Sequence, residues 1–198
     1  LKDALHHKVY MSGPSVILPD ASYYKPHMAA QKDMILGVWT NVARAILAKT
    51  DLSPEEQNKY LEDTLAFDAK LGDLVKTNEE WSDYIKSYNL MKTSKVSKLT
   101  STIDLKQILK DAFGFVPADV VISEPRYFKA FVEVFNEETF EEYKHWAYVT
   151  GFISACSYLT EELRDLGSMY MRTISGNAKN TPIDRFAYNL AAGMYSEP

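Results

Sequence analysis

Gly13, Pro14, Pro19 and Pro26 crowd the first 26 residues, and past Pro26 apolar residues begin to recur at helical spacing. Proline fixes φ and removes a backbone donor, so the opening stretch reads as extended or turning chain and not as helix. From His27 to about Lys49, the positions Ile35, Trp39, Val42 and Ile46 lie three or four apart, which is the stripe of an amphipathic helix. Ser53-Pro54-Glu55-Glu56 follows, with a capping serine, a proline at the first helical position and acids in the first turn, so a second helix starts there. Its buried stripe is marked by Leu61, Leu65, Leu71 and Val75, and the short connection predicts an antiparallel pair with the first helix.

Further along, Trp81, Tyr84, Ile85 and Tyr88 suggest a short helix, and the polar cluster from Lys92 to Thr102 reads as loop. Asp104 is placed to cap a helix over Leu105, Ile108 and Leu109 that ends at Gly114. Val120-Val121-Ile122, closed by Pro125, gives the one strand signal. Arg126 to Phe135 reads as a short aromatic helix. From Thr139 a long helical pattern carries Phe140, Tyr143, Ala147, Gly151, Ser154 and Tyr158 on one side, where Gly151 and Ser154 would let another helix approach closely. Thr160-Glu161-Glu162-Leu163 reads as a continuation of that helix or as a restart, running to Ile174 before the turn Ser175-Gly176-Asn177. Thr181-Pro182 opens a last one with Phe186, Leu190 and Met194 at spacing four. The pattern is still amphipathic at Pro198, which reads as a cut edge. The expected fold is therefore mainly α, with an extended segment over 1–26, a helical body over 27–198 and at most a short strand near 120–122.

At 198 residues the chain can bury a substantial core of its own. Its net charge is −5, from 22 basic and 27 acidic residues with no basic block, so a nucleic-acid footprint is not indicated. No apolar run approaches the roughly 18 residues of a membrane span. A single cysteine, Cys156, excludes an internal disulfide and sits among apolar residues, where a buried structural thiol is expected. It fits a reducing compartment or a bridge-free secreted bacterial protein. The 13 tyrosines signal thick helix packing or a sticky concave face.

Residues that carry chemistry elsewhere read here as structural. His6 and His7 are adjacent and point to different sides, so joint ligation of one metal is awkward. His145 follows Glu141 and Glu142 at helical spacing, which predicts a helix-surface ion pair. The pairs Glu55-Glu56, Glu79-Glu80, Glu137-Glu138 and Glu161-Glu162 all stand at expected helix starts, where the dipole favours negative charge. Ser12-Gly13-Pro14-Ser15 and Ser175-Gly176-Asn177 lack the strand-turn-helix setting of a nucleophile elbow, and no glycine loop is built to cradle a phosphate. No His-Glu-x-x-His occurs anywhere.

Several segments, read in order, resemble the N-terminal helical half of the neprilysin family of zinc endopeptidases, most closely its bacterial endopeptidase O branch. They are Leu18-Pro19-Asp20 with Tyr23-Tyr24, Tyr88-Asn89-Leu90-Met91, Val120-Val121-Ile122 with Pro125 and Tyr127-Phe128, Glu138 to Trp146, Tyr158-Leu159 with Ile174-Ser175-Gly176, and Thr181 to Pro198. Asp184-Arg185-Phe186 departs from the family's Trp with basic residues, and the cysteines of the animal branch are absent. The resemblance implies a zinc-dependent parent that hydrolyses peptide bonds in oligopeptides. In that parent this chain would be the helical lobe that faces the catalytic lobe and encloses the substrate chamber. It assigns no catalytic and no metal-ligating residue to this chain, leaves the substrate-contacting residues unnamed, and implies that the chain alone is inert and binds no zinc. A bacterial cytoplasmic location, with secretion open, goes with it. The alternative is a freestanding helical module that binds peptides or a protein partner.

Overall fold

The computed structural model describes residues 7–195, so His6 and Pro198 lie outside the described residues. In chain order the elements are β1 (Tyr10–Met11), α1 (Ala29–Leu47), α2 (Pro54–Gly72), α3 (Asn78–Ser82), β2 (Asn89–Lys92), α4 (Thr93–Leu99), α5 (Leu105–Phe113), β3 (Asp119–Ile122), α6 (Pro125–Lys129), α7 (Phe131–Val134), α8 (Phe140–Ala155), α9 (Glu161–Ile174) and α10 (Ile183–Tyr195). Two short 3-10 turns, Ala21–Tyr24 and Pro26–Met28, lead into α1.

Local chemistry sets most of the helix ends. Ser53 Oγ accepts from the Glu56 amide at 3.3 Å while the Glu56 carboxylate accepts from the Ser53 amide at 2.7 Å, a reciprocal cap on α2. Thr77 and Glu80 do the same for α3. Asp104 accepts from the Gln107 amide at 3.0 Å to open α5, which Gly114 closes at φ 78°, a conformation that favours glycine. Thr160 caps α9. Each such cap stabilises by about 1 kcal/mol.

The expectation of a mainly α fold holds, but the sheet is larger than one strand. β1 and β2 flank β3, β1 parallel to it (Tyr10 with Val121) and β2 antiparallel (Asn89 with Ile122, Lys92 with Asp119). β1 is only two residues long, and β2 carries the sequence Asn-Leu-Met-Lys with no β-branched residue, so neither shows the run that marks β3. The polar stretch expected as loop contains α4, which buries Val96 and Thr93 while Ser94, Lys95 and Lys98 stay exposed. The aromatic stretch 126–135 is split into α6 and α7 at Ala130.

One core joins Trp39, Val42, Ala43, Ile46 and Leu47 of α1 to Leu61 of α2, Val149 of α8, Cys156 and Tyr170 of α9. A second packs Val96, Leu105 and Leu109 onto Val120 and Ile122 of the sheet and Phe128. Between them Phe67, Leu71 and Val134 close a third cluster with Tyr127, Tyr143 and Trp146. Burial of each large side chain here contributes roughly 1.5–3 kcal/mol. α2 packs chiefly on α8, and α1 on α9, so the expected α1/α2 pair is only a minor contact. α8 is also turned from its expected orientation: Val149 is buried, whereas Phe140, Gly151, Ser154 and Tyr158 are exposed. A Cβ on Gly151 would meet nothing within 4 Å, and the close approaches lie instead at Gly72, against the Tyr24 ring, and Gly167, against Cys156.

Candidate functional site

The two proline-bearing runs of the sequence, 18–24 and 122–128, converge on one joint between the helical core and the sheet. Arg126 lies in the first turns of α6, where Pro125 fixes the entry. Its guanidinium donates to the Leu74 carbonyl at 3.2 Å and the Val75 carbonyl at 2.6 Å, and grips Glu80 through Nη1 at 2.9 Å and Nη2 at 3.0 Å. That bidentate hydrogen bonding holds the Glu80 carboxyl down at about 2, against the opposing effect of partial burial. Glu124, 2% exposed, accepts from the Gly13 amide at 2.5 Å and the Lys76 amide at 2.7 Å. Asp20 accepts from the Asn78 amide at 2.5 Å. The segment 12–20 is thus strapped to the turn after α2 by side chains, without secondary structure of its own.

A second anchor is Asp68 on α2, 1% exposed. It accepts from the Ile17 amide at 3.1 and 3.2 Å, from Trp146 Nε1 at 2.9 Å and from the Tyr24 hydroxyl. Burial pushes its pKa up, and the same burial, with the Asp68 carboxylate beside it, pushes the Tyr24 phenol up as well. Tyr170 donates to the Ile17 carbonyl at 2.8 Å, so Ile17 is bonded through both backbone groups.

Beside the joint lies an apolar hollow of about 730 Å³, lined by Tyr10, Trp81, Tyr84, Ile85, Ser87, Tyr88 and Ser123. Tyr84 is 84% and Ile85 89% exposed, in the turn between α3 and β2. Lys76 steadies that turn, donating to Ser87 Oγ at 2.7 Å with its ammonium 4.8 Å from the Trp81 ring. This surface can hold apolar or aromatic side chains. Among the described residues no three His, Cys, Asp or Glu side chains are grouped to hold a metal ion.

His145 is half-buried and its partner is not Glu141 or Glu142. Nδ1 lies 2.6 Å from Asp63 of α2, and the ring stacks on Tyr60 at 3.8 Å. Asp63 also accepts from Lys59 at 2.6 Å; burial works against its charge, but these two partners keep its pKa below the usual carboxylate value. Glu142 pairs with Lys70 and Glu141 with Lys144. Helical spacing identifies neighbours on one helix, and the packing of α2 on α8 supplied a closer one. Glu55, Glu56, Glu79, Glu80, Glu161 and Glu162 do stand in first helical turns, whereas Glu137 and Glu138 precede the Thr139 cap of α8. Cys156 is fully buried, which pushes its thiol up. His7 lines a separate hollow with Phe113 and Phe115. Asp68 was not singled out by the sequence, and Glu124 and Arg126 stood in a quoted run without a role; an acid flanked by apolar residues, as in Ala66-Phe67-Asp68-Ala69, was the available signal for the first.

The family described as peptidase family M13 matches residues 1–198. The chain is 30% identical over 197 residues to a neutral endopeptidase of Lactococcus lactis subsp. cremoris, which covers 100% of this chain and 31% of that protein. It is 29% identical to a neutral endopeptidase of Lactobacillus helveticus, with 30% of that protein covered. The chain thus spans under a third of the length of these curated relatives. Its fold is that of part of PepO from Lactobacillus rhamnosis (TM-score 0.89, 24% identity, 96% of this chain and 30% of that one). The zinc metalloprotease ZMP1 of Mycobacterium tuberculosis in its open state is similar as well (TM-score 0.79, 21% identity, 94% and 29%). No helix among the described residues is long and apolar enough to cross a membrane.

Proposed function

We propose, because this chain belongs to peptidase family M13, that it forms the helical, substrate-enclosing lobe of a neprilysin-like zinc endopeptidase acting on oligopeptides. The observation that carries this is the match across residues 1–198 to proteins named neutral endopeptidase, of which this chain spans only 31%. In this reading the chain divides at residue 26: the described part of 1–26 is a strap that ends in 3-10 turns, and the described part of 27–198 is the lobe. Its partner is the catalytic lobe of the same longer polypeptide. A zinc ion held in that other part would supply Lewis-acid and water-activating chemistry. The residues here contribute shape: a wall rigid enough to exclude folded proteins, and exposed aromatic surface at Trp81, Tyr84 and Ile85 against which an extended peptide can lie. The carboxylate and arginine joint keeps that surface fixed on the helical core. A cytoplasmic bacterial location, with secretion open, is part of the proposal, and the single buried thiol of Cys156 is compatible with both.

The test uses a quenched fluorescent oligopeptide. The purified 198-residue chain should leave it intact with or without added zinc. The longer polypeptide should cleave it in a chelator-sensitive way, and should spare the same sequence inside a folded protein. Tyr84→Ala with Ile85→Ala in the longer polypeptide should raise KM with little change in kcat, since both side chains are exposed and neither supports the fold. Chelator-sensitive cleavage by the 198 residues alone would sink the proposal.

A further inference from the structure

Among the described residues four side chains of charged type are buried, Asp63, Asp68, Glu124 and Arg164, and the three acids are each met by several donors. Asp63 faces Lys59 and His145, Asp68 receives an amide, an indole and a phenol, and Glu124 receives two amides. Arg164 of α9 differs. It is 7% exposed, so more than nine-tenths of the residue is out of water. Nη1 donates to the Thr181 carbonyl at 2.8 Å, and the guanidinium carbon stands 5.7 Å from the centre of the Phe186 ring. Nε is buried and meets no acceptor. No carboxylate among the described residues is paired with it. Of its acidic neighbours in sequence, Asp165 is bound to Arg172 at 2.8 Å and Glu162 to Lys49 at 2.6 Å, while Glu161 is exposed. A guanidinium whose Nε is buried without an acceptor, and whose recorded company is one carbonyl and one ring face, is an incomplete arrangement, because a buried polar donor is tolerated best when a hydrogen bond offsets its lost hydration.

The surface around it is equally incomplete. α10 starts two residues past Thr181 and has no buried residue. Ile183 is 55% and Met194 72% exposed, both on the side of the helix that carries Phe186, the ring beside Arg164, whereas Tyr188, 72% exposed, projects from another side. An arginine with an unmet donor, next to a helix that leaves apolar side chains exposed, has the composition of an interface, where arginine and aromatic residues carry much of the binding energy.

We infer that Arg164 is a docking cation: it receives the carboxylate of an Asp or Glu side chain carried by the part of the longer polypeptide outside these 198 residues, which packs over the apolar face of α10. This rests on the reading that the chain is a lobe of a longer protein. The occupant follows from charge, a carboxylate being the side chain that completes a guanidinium through two parallel hydrogen bonds, and from length, since more than two-thirds of the neutral endopeptidase of Lactococcus lactis lies outside the matched region.

The experiment is Arg164→Met, which keeps the length of the stem and removes the charge, measured by thermal unfolding in two settings. In the 198-residue chain the melting temperature should stay level or rise, because an uncompensated charge has been deleted. In the longer polypeptide it should fall by about 3 °C or more, because an ion pair has been broken. Neutralising Asp and Glu residues outside the chain one at a time should reveal one whose effect disappears in the Arg164→Met background. An equal loss in both settings would mean that Arg164 only supports α9 and α10, and no loss in the longer polypeptide would mean that nothing docks there; either overturns the inference. A longer polypeptide that cleaves oligopeptides yet shows no difference between the settings separates failure here from failure of the proposed function. The converse, the two-setting difference in a protein without peptidase activity, leaves the docking cation standing.

Discussion

Removing the Asp68 carboxylate gives the sharpest test of how the N-terminal strap is held. Asp68→Ala would leave three donors in a dry site without acceptors: the Ile17 amide, the Trp146 indole N–H and the Tyr24 hydroxyl. At about 1–3 kcal/mol for each stranded donor the gross loss is at least ~3 kcal/mol, offset in part because a carboxylate whose pKa burial has raised no longer has to be ionised. A net loss near 3 kcal/mol corresponds to roughly 6–12 °C in melting temperature for a chain of this size. Urea denaturation followed by tryptophan fluorescence reads it directly, provided the slope m is unchanged, so that a lower midpoint reports stability alone. Asp68→Asn should cost less than half as much, since the amide keeps one acceptor and the Tyr24 hydroxyl can turn to accept from its NH2 group. In a Tyr24→Phe background one of the three donors is already gone, so the Asp68→Ala penalty should shrink by about 1 kcal/mol. A loss below ~1 kcal/mol, or strict additivity with Tyr24→Phe, would refute the view that this carboxylate gathers the strap, α2 and α8 at one point.

Two glycines on helices should respond in opposite directions to the same substitution. Gly72→Ala places a Cβ 2.3 Å from the Tyr24 ring and should destabilise by about 1–3 kcal/mol, whereas Gly151→Ala, in open space within α8, should stabilise by about 0.5–1 kcal/mol; paired melting curves decide both. Glu80, held at about 2 by Arg126 against an ordinary 4.5, contributes stability that is present above pH 4.5 and lost as pH falls toward 2. The stability gap between the native chain and Glu80→Gln should therefore close over that window, and a gap constant from pH 5 to pH 2 would contradict the assignment.

Much of the fold could be read from local rules. The caps at Ser53, Asp104 and Thr160 and the closing glycine at 114 each depend on residues within four positions of one another, so the starts of α2, α5 and α9 were legible locally, whereas the short helix expected on Trp81 to Tyr88 lies earlier, as α3, and turns follow it. The stripe Trp39, Val42 and Ile46 identified the buried face of α1 for the same reason. The family resemblance, too, was carried by the order of short motifs and needed no coordinates.

What the tertiary structure alone decided is which helix meets which. Periodicity says that a helix has an apolar side but not what it lies against, so α2 found α8 instead of α1, and α8 turned Gly151 outward and Trp146 inward toward Asp68. β1 and β2 are too short to declare themselves, and exist because β3 offers both edges for pairing. Asp68, Glu124, Arg126 and His145 acquired their roles from partners roughly 50 to 110 residues away. A charge in a sequence carries no record of its burial, and only the closing of the fold around it determines whether it is a solvated surface group or, as at Asp68, an anchor that gathers a strap and two helices.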